Sequence, residues 1–245
     1  MMDRNMKLGH TQTDFLGNWK LSDMFTEFAN LATAHATSFG GWDPKYIDQY
    51  GWVIAKMRVK VYQPIHMDDE VVVRTWITQG SAVVHPRQYA VLNSAGEVIV
   101  EATSQWTLID LVRRRIAIPK RVGLTFPEEI CKPGTIEIET DFNDEEGYSF
   151  VEKRQVRYGD IDVNGHLNNA KYVEWVCDCL GYDVFKENFI EDLSIQFKKE
   201  TGPNEYLVLE KKCEGKTFKV RGLDEEGNLH FVAEGKLKKY ESEQV

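Results

Sequence analysis

One arrangement of elements occurs twice along this chain, and each occurrence restricts the other. A short polar turn, an amphipathic helix and a run of strands extend from Asp14 to Ile118, and the same series returns from Asp160 to Lys238. In the first copy Met24, Phe25, Phe28, Leu31, Ala32 and His35 share one stripe of a helix expected to be capped by Ser22 and stopped at Gly40 and Gly41. Strands are expected at Val53–Tyr62, Glu70–Thr78, Val84–Leu92 and Val98–Ile109, with a hairpin turn at Asn93–Gly96 and with Leu111–Ile118 continuing or adding to the last strand. The opening stretch, Met1 to Asp14, is polar, with a strand expected only toward its end. The second copy has a strand at Ser149–Arg157, a helix at Asn168–Leu180, and strands near Leu193–Lys199, Tyr206–Cys213, Thr217–Leu223 and Leu229–Lys238. The copies align with Asp14 on Asp160, Asn18 on Asn164, Lys20 on His166 and Leu21 on Leu167. A helix followed by antiparallel strands buries its stripe against the sheet, which gives an α+β architecture.

Between the copies, Pro119, Pro127, Pro133 and Gly134 interrupt any long element, while Glu137, Glu139, Asp141, Asp144, Glu145 and Glu146 make the segment acidic. The expected organisation is an N-terminal unit over 1–119, a surface linker over 120–147 and a C-terminal unit over 148–245. The formal net charge of -9 argues against nucleic acid or an anionic membrane as a partner. Apolar runs fall well short of the ~18 residues of a spanning helix. The start has no apolar signal core, so a soluble, cytoplasmic protein is expected. Cys131, Cys177, Cys179 and Cys213 form no C-x-x-C pair, and Cys177 and Cys179 do not share a helix face, so reduced thiols are expected and no metal or cofactor is implied.

The stretch with the densest chemistry is Val156–Trp175, V-R-Y-G-D-I-D-V-N-G-H-L-N-N-A-K-Y-V-E-W. Asp162, Asn164 and His166 alternate, so in an extended backbone a carboxylate, an amide and an imidazole would point the same way. His166 supplies the side-chain type best suited to act as a general base. The helix behind it begins with unpaired N–H groups that suit an oxyanion, and Gly165 lets a substrate approach the backbone. The same residues also serve as plain turn formers, with Asn168 as an ordinary cap.

The motif G-D-x-D-x-x-G-H-x-N-N-x-x-Y before a helix and an antiparallel sheet resembles that of hotdog-fold thioesterases, in which a long helix is wrapped by one sheet. Two tandem hotdog units with the motif only in the second make the chain similar to the acyl-acyl carrier protein thioesterases of plants and bacteria. The resemblance implies that the second unit carries the chemistry and that the first shapes an acyl pocket, along Met24, Phe25 and Phe28. Carried over position by position, the catalytic residues are Asp162, Asn164 and His166, and then Glu200, because Phe197–Gly202 resembles the plant segment Y-R-R-E-C-G. Strand alternation alone would place Glu200 with Gln196 and Lys198, away from Ile195 and Phe197, so a solvated strand residue is the other reading. Thr201 stands where plant members have Cys, which leaves activated water as the nucleophile, with attack by Asp162 itself also open. Leu16 and Lys20 align with Asp162 and His166, so the first copy is expected to be non-catalytic.

The thiol that leaves a thioester has a pKa of roughly 8.5 and needs little help to depart. The implied activity is hydrolysis of acyl-acyl carrier protein thioesters, and the implied partner is the acidic carrier protein, met by Arg113, Arg114, Arg115, Lys120, Arg121, Lys198 and Lys199. An acyl-CoA thioesterase, a hotdog hydratase or dehydratase, and a non-catalytic acyl-binding protein are the alternatives. A homodimer and the acyl chain length are left open, and the absence of a plant plastid-targeting segment fits a bacterial cytoplasmic enzyme.

Overall fold

A computed structural model describes residues 1–127, 131–132, 134–138 and 146–241. Its strands are β1 (Met2–Lys7), β2 (Tyr50–Val61), β3 (Glu70–Ile77), β4 (His85–Leu92), β5 (Val98–Asp110), β6 (Arg115–Ile116), β7 (Ser149–Gln155), β8 (Asn188–Phe197), β9 (Tyr206–Glu214), β10 (Thr217–Leu223) and β11 (Leu229–Lys239). Its helices are α1 (Leu21–Ser38), α2 (Asn169–Leu180) and the short α3 (Tyr182–Phe185). All strands join one antiparallel sheet in the order β1-β3-β4-β5-β2-β8-β11-β10-β9-β7, with β6 paired to β5. Read inward from either edge, with β6 set aside, each half runs first-third-fourth-fifth-second of its own strands, so the fold is two hotdog units sharing a sheet. They meet where β2 pairs with β8, Lys56 to Gln196 through Lys60 to Asp192. Arg58 clamps the junction, with Nε and NH2 3.0 and 2.8 Å from the two Asp192 carboxylate oxygens.

Both helices lie on one face of this sheet and pack on each other. The buried residues of α1 are the expected stripe Met24, Phe25, Phe28, Leu31, Ala32 and His35, and Phe28 stacks on Tyr89 at 4.7 Å between ring centroids. Helix α2 buries Tyr172, Val173, Trp175, Val176, Cys179 and Leu180, and one apolar cluster runs through both units.

Three local expectations are corrected. The opening residues are themselves a strand: β1 is polar because it is an edge strand with one half-covered face, and Asp3 meets Arg74 of β3 at 2.8 and 2.7 Å. The N-cap of α1 is Lys20 rather than Ser22, because the backbone is already extended at Lys20 (φ -62°, ψ 134°) and Met24 N–H reaches the Lys20 carbonyl. Strand β8 begins at Asn188, five positions ahead of the expected Leu193, because a bulge at Lys236/Leu237 lets Asn188–Ile190 pair with the end of β11.

Much of the expected linker, 128–130, 133 and 139–145, lies outside the described residues. Of its described part, the Lys132 carbonyl accepts from Trp76 Nε1 at 2.9 Å and the Glu137 carbonyl from Arg58 NH1 at 3.0 Å, so these residues lie against the sheet face opposite the helices. Among the described residues no helix is long and apolar enough to cross a membrane.

Candidate active site

The turn before α2 is not extended. Asp162 N–H donates to the His166 carbonyl at 2.9 Å, Gly165 N–H returns to the Asp162 carbonyl at 3.0 Å, and Asn164 N–H donates to the Asp162 carboxylate at 2.8 Å. Gly165 sits at φ 78°, the left-handed region that glycine enters without a Cβ clash. The expected common focus therefore does not form by alternation. The Asn164 amide lies 3.4 Å from the Asp162 carboxylate, and the His166 ring meets Glu200.

The turn before α1 is built in the same way, and it corrects the internal alignment. Asp14 N–H donates to the Asn18 carbonyl, Gly17 N–H to the Asp14 carbonyl and Leu16 N–H to the Asp14 carboxylate, with Gly17 at φ 80°. The bridges Thr13–Trp19 and Ile161–Leu167 close the two turns. Asp14 thus matches Asp162, Leu16 matches Asn164, and Asn18 matches His166. Identity had drawn Asn18 onto Asn164, but the turn is specified by its first Asp and its left-handed Gly. Asp162 therefore has a counterpart in the first unit, where the carboxylate shapes the turn. Asn164 and His166 are replaced there by Leu16 and Asn18.

His166 Nε2 lies 3.5 Å from Glu200 Oε2, and their side chains are 32% and 36% exposed, close enough to solvent for substrate to reach. Glu200 gets there because the chain leaves β8 at Phe197 and the Thr201 carbonyl accepts Leu167 N–H at 2.9 Å. Alternation along the strand no longer applies past that point. The matching bond in the first unit runs from Trp19 N–H to the Ile65 carbonyl, which puts Pro64 in the place of Glu200. The second unit's imidazole and carboxylate are therefore an amide and a proline in the first. Asn18 there is 7% exposed and bonded to His66 Nδ1 at 3.1 Å and to the Tyr240 hydroxyl at 3.0 Å.

Arg114 joins the site from the first unit, NH2 to Glu200 Oε2 at 3.0 Å, an approach that sequence reasoning placed on a docking face instead. It sits at φ 51° in the tight β5–β6 turn, a backbone signal invisible in the sequence. At the start of α2 the Asn168 side chain accepts Ala170 N–H at 2.8 Å and its carbonyl accepts Lys171 N–H, leaving the Asn169 N–H without a protein acceptor among the described residues. Cys179 is 2% exposed, and burial pushes its thiol up to about 12, far from a thiolate nucleophile. Met24, Phe25 and Phe28 lie in the packed core under α1. A charged groove of about 330 Å³, lined by Arg58, Asp192, Lys212, Lys219, Glu234 and Lys236, includes none of the site residues.

Comparison with known proteins follows the same division into halves. The acyl-ACP thioesterase N-terminal domain matches residues 1–126, and the acyl-ACP thioesterase C-terminal domain matches residues 143–227. The chain belongs to the acyl-ACP thioesterase family. A chloroplastic palmitoyl-acyl carrier protein thioesterase of Cuphea hookeriana is 27% identical over 76% of this chain and 47% of its own length. A chloroplastic oleoyl-acyl carrier protein thioesterase of Coriandrum sativum is 26% identical over 61% of this chain and 43% of its own. The chain thus spans under half the length of these curated relatives. Among solved structures, a 12:0-ACP thioesterase from Umbellularia californica superposes with TM-score 0.84 at 21% identity, covering 98% of this chain and 97% of that one. An acyl-ACP thioesterase from Bacteroides thetaiotaomicron superposes with TM-score 0.80 at 20% identity, covering 97% of each chain. These likenesses confirm the tandem fold of this acyl-ACP thioesterase family member.

Proposed function

We propose that this chain hydrolyses acyl-acyl carrier protein thioesters to free fatty acid and carrier-protein thiol, ending fatty acid synthesis on the carrier. The observation that carries the proposal is the contrast between His166 with Glu200 and their counterparts Asn18 and Pro64: the fold is built without the pair in one unit and with it in the other. In this reading the first unit, 1–119, shapes the acyl pocket, 120–147 links the units, and 148–245 carries the chemistry.

In this reading His166, with Nε2 3.5 Å from Glu200, takes a proton from water as the water oxygen attacks the thioester carbonyl carbon. Glu200 orients the ring and offsets the imidazolium charge that forms. The Asn169 N–H, at the positive end of α2, stabilises the oxyanion. Asn164, held by Asp162, orients the water or the carbonyl. Collapse breaks the C–S bond, and the thiolate leaves with the proton from His166.

For the carrier protein, Arg113 is engaged by Asp110, Arg114 by Glu200 and Lys199 by Asp224, which leaves Arg115, Lys120, Arg121 and Lys198 as the docking candidates of that set. Charge reversal at Arg115 and Lys120 is expected to raise KM for acyl-carrier protein severalfold and flatten its salt dependence, while leaving turnover of the matching CoA thioester unchanged.

The testing experiment compares thiol release from lauroyl- and palmitoyl-carrier protein with release from the same acyl groups on CoA. A kcat/KM at least ~10-fold higher on the carrier protein supports this reading. Equal or better turnover of CoA favours an acyl-CoA thioesterase, and binding without release favours a non-catalytic acyl-binding protein.

A further inference from the structure

The second unit contains a buried polar chain that the first unit replaces with hydrocarbon. Tyr172 on α2, Thr201 beyond β8 and His230 on β11 are 3%, 0% and 1% exposed. The Tyr172 hydroxyl is 2.8 Å from Thr201 Oγ1, which is 2.7 Å from His230 Nδ1. His230 Nε2 then faces Asp224 Oδ2 at 3.4 Å, and Asp224 is closed off by Lys199 Nζ at 2.8 Å. One order of donors satisfies every member: Tyr172 O–H to Thr201, Thr201 O–H to Nδ1, and Nε2–H to Asp224, with the imidazole neutral. Burial favours that neutral form of His230 and pushes the Tyr172 phenol up to about 12, so the chain holds its protons in place.

Shared backbone bonds identify the first-unit counterparts. Lys198 N–H donates to the His230 carbonyl as Tyr62 N–H donates to Ile99, and Leu167 N–H donates to Thr201 as Trp19 N–H donates to Ile65. The helix starts at Asn169 and Leu21 set Tyr172 against Met24. Tyr172, Thr201 and His230 therefore stand where Met24, Ile65 and Ile99 are 2%, 3% and 5% exposed. An apolar trio satisfies this fold, whereas burying two hydroxyls and an imidazole costs free energy unless each is bonded. Packing does not explain their presence.

Their placement does. Glu200 lies between Lys199 and Thr201. The His230 carbonyl accepts from Lys198 N–H at 2.8 Å and Lys199 N–H at 3.1 Å, and its ring holds the Thr201 hydroxyl. The Thr201 carbonyl in turn holds Leu167, the residue after His166. Both members of the candidate catalytic pair are thus tied through the main chain of Thr201 and His230, whose side chains are bonded to each other. We infer that Thr201 and His230 are positioning residues that fix Glu200 against His166, with Tyr172 and Asp224 fixing their protons. This inference rests on the proposed role of Glu200.

The test is a double-mutant cycle in the full chain on lauroyl-carrier protein. Thr201→Val removes the hydroxyl at near-constant volume and is expected to lower kcat ~10-fold or more with KM within about twofold, since a small misplacement of a catalytic group is expensive. Thr201→Ser is expected to restore kcat to within about threefold. In a Glu200→Gln background Thr201→Val is expected to change kcat no further, because the group it positions is already disabled. A folded Thr201→Val protein with unchanged kcat, or one whose loss is repeated in full on Glu200→Gln, overturns the inference. If Thr201→Val does not fold, Asp224→Asn takes its place in the cycle with the same two outcomes. Wild-type kcat in Glu200→Gln alone would instead overturn the parent reading of the site, so the two failures are distinguishable.

Discussion

An imidazole beside a carboxylate is useful only where substrate can reach both, and His166 and Glu200 meet at 3.5 Å with about a third of each side chain exposed. Asn164 and His166 are Leu16 and Asn18 in the first unit, whereas Asp162 repeats the turn-shaping role of Asp14. Asn164→Ala is therefore expected to reduce kcat ~10-fold to 100-fold with no change in melting temperature, measured by thiol release and thermal denaturation. The sequence draws attention to Asp162, Asn164 and His166 by residue type and spacing, while their catalytic reading comes from the family resemblance. It leaves Glu200 divided between two readings and assigns Arg114 to docking, because both depend on where the chain leaves a strand. His35 gives a separate residue-scale outcome. It is 4% exposed, and burial, reinforced by Arg87, pushes its pKa from 6.5 down to about 4. The unfolded chain then takes up a proton that the folded protein refuses, so stability is full above about pH 6.5 and is lost as pH falls toward 4, by roughly 3 kcal/mol at most. Urea midpoints at neutral and acid pH should differ less in His35→Asn, which keeps an acceptor for Arg87 NH1 but does not titrate.

At the scale of elements, the two helix starts show what local chemistry determines and what it does not. Asn168 caps α2 with its side chain, as its residue type suggests, while Ser22 lies inside α1 because Trp19 N–H is already bonded to Ile65 and the chain turns in earlier. Asn168→Ala is expected to cost ~1 kcal/mol, a fall of about 2–4 °C in Tm by differential scanning calorimetry. The internal repeat is legible from hydrophobic periodicity, and the α1 stripe matches residue for residue. Its register is not legible, since Asn18 attracts Asn164 by identity while the backbone pairs it with His166.

At the scale of the whole molecule, a sheet continuous through β2 and β8, with one apolar cluster under both helices, ties the units together. Unfolding in urea followed by tryptophan fluorescence and by far-UV circular dichroism should give coincident single transitions, and a split into two would contradict a shared core. No sequence signal identifies the β2–β8 seam, because pairing between distant strands is set by tertiary packing rather than by either strand's own pattern. The seam also brings Arg114 of one unit to Glu200 of the other, so the candidate site draws on both. His166 and Glu200 are proposed as the water-activating pair, and the most direct measurement is kcat for thiol release from lauroyl-carrier protein by folded His166→Ala and Glu200→Gln proteins. A loss of ~100-fold or more is expected in each, with far less than additive loss in the double variant; turnover near wild type in either single variant would overturn the pair.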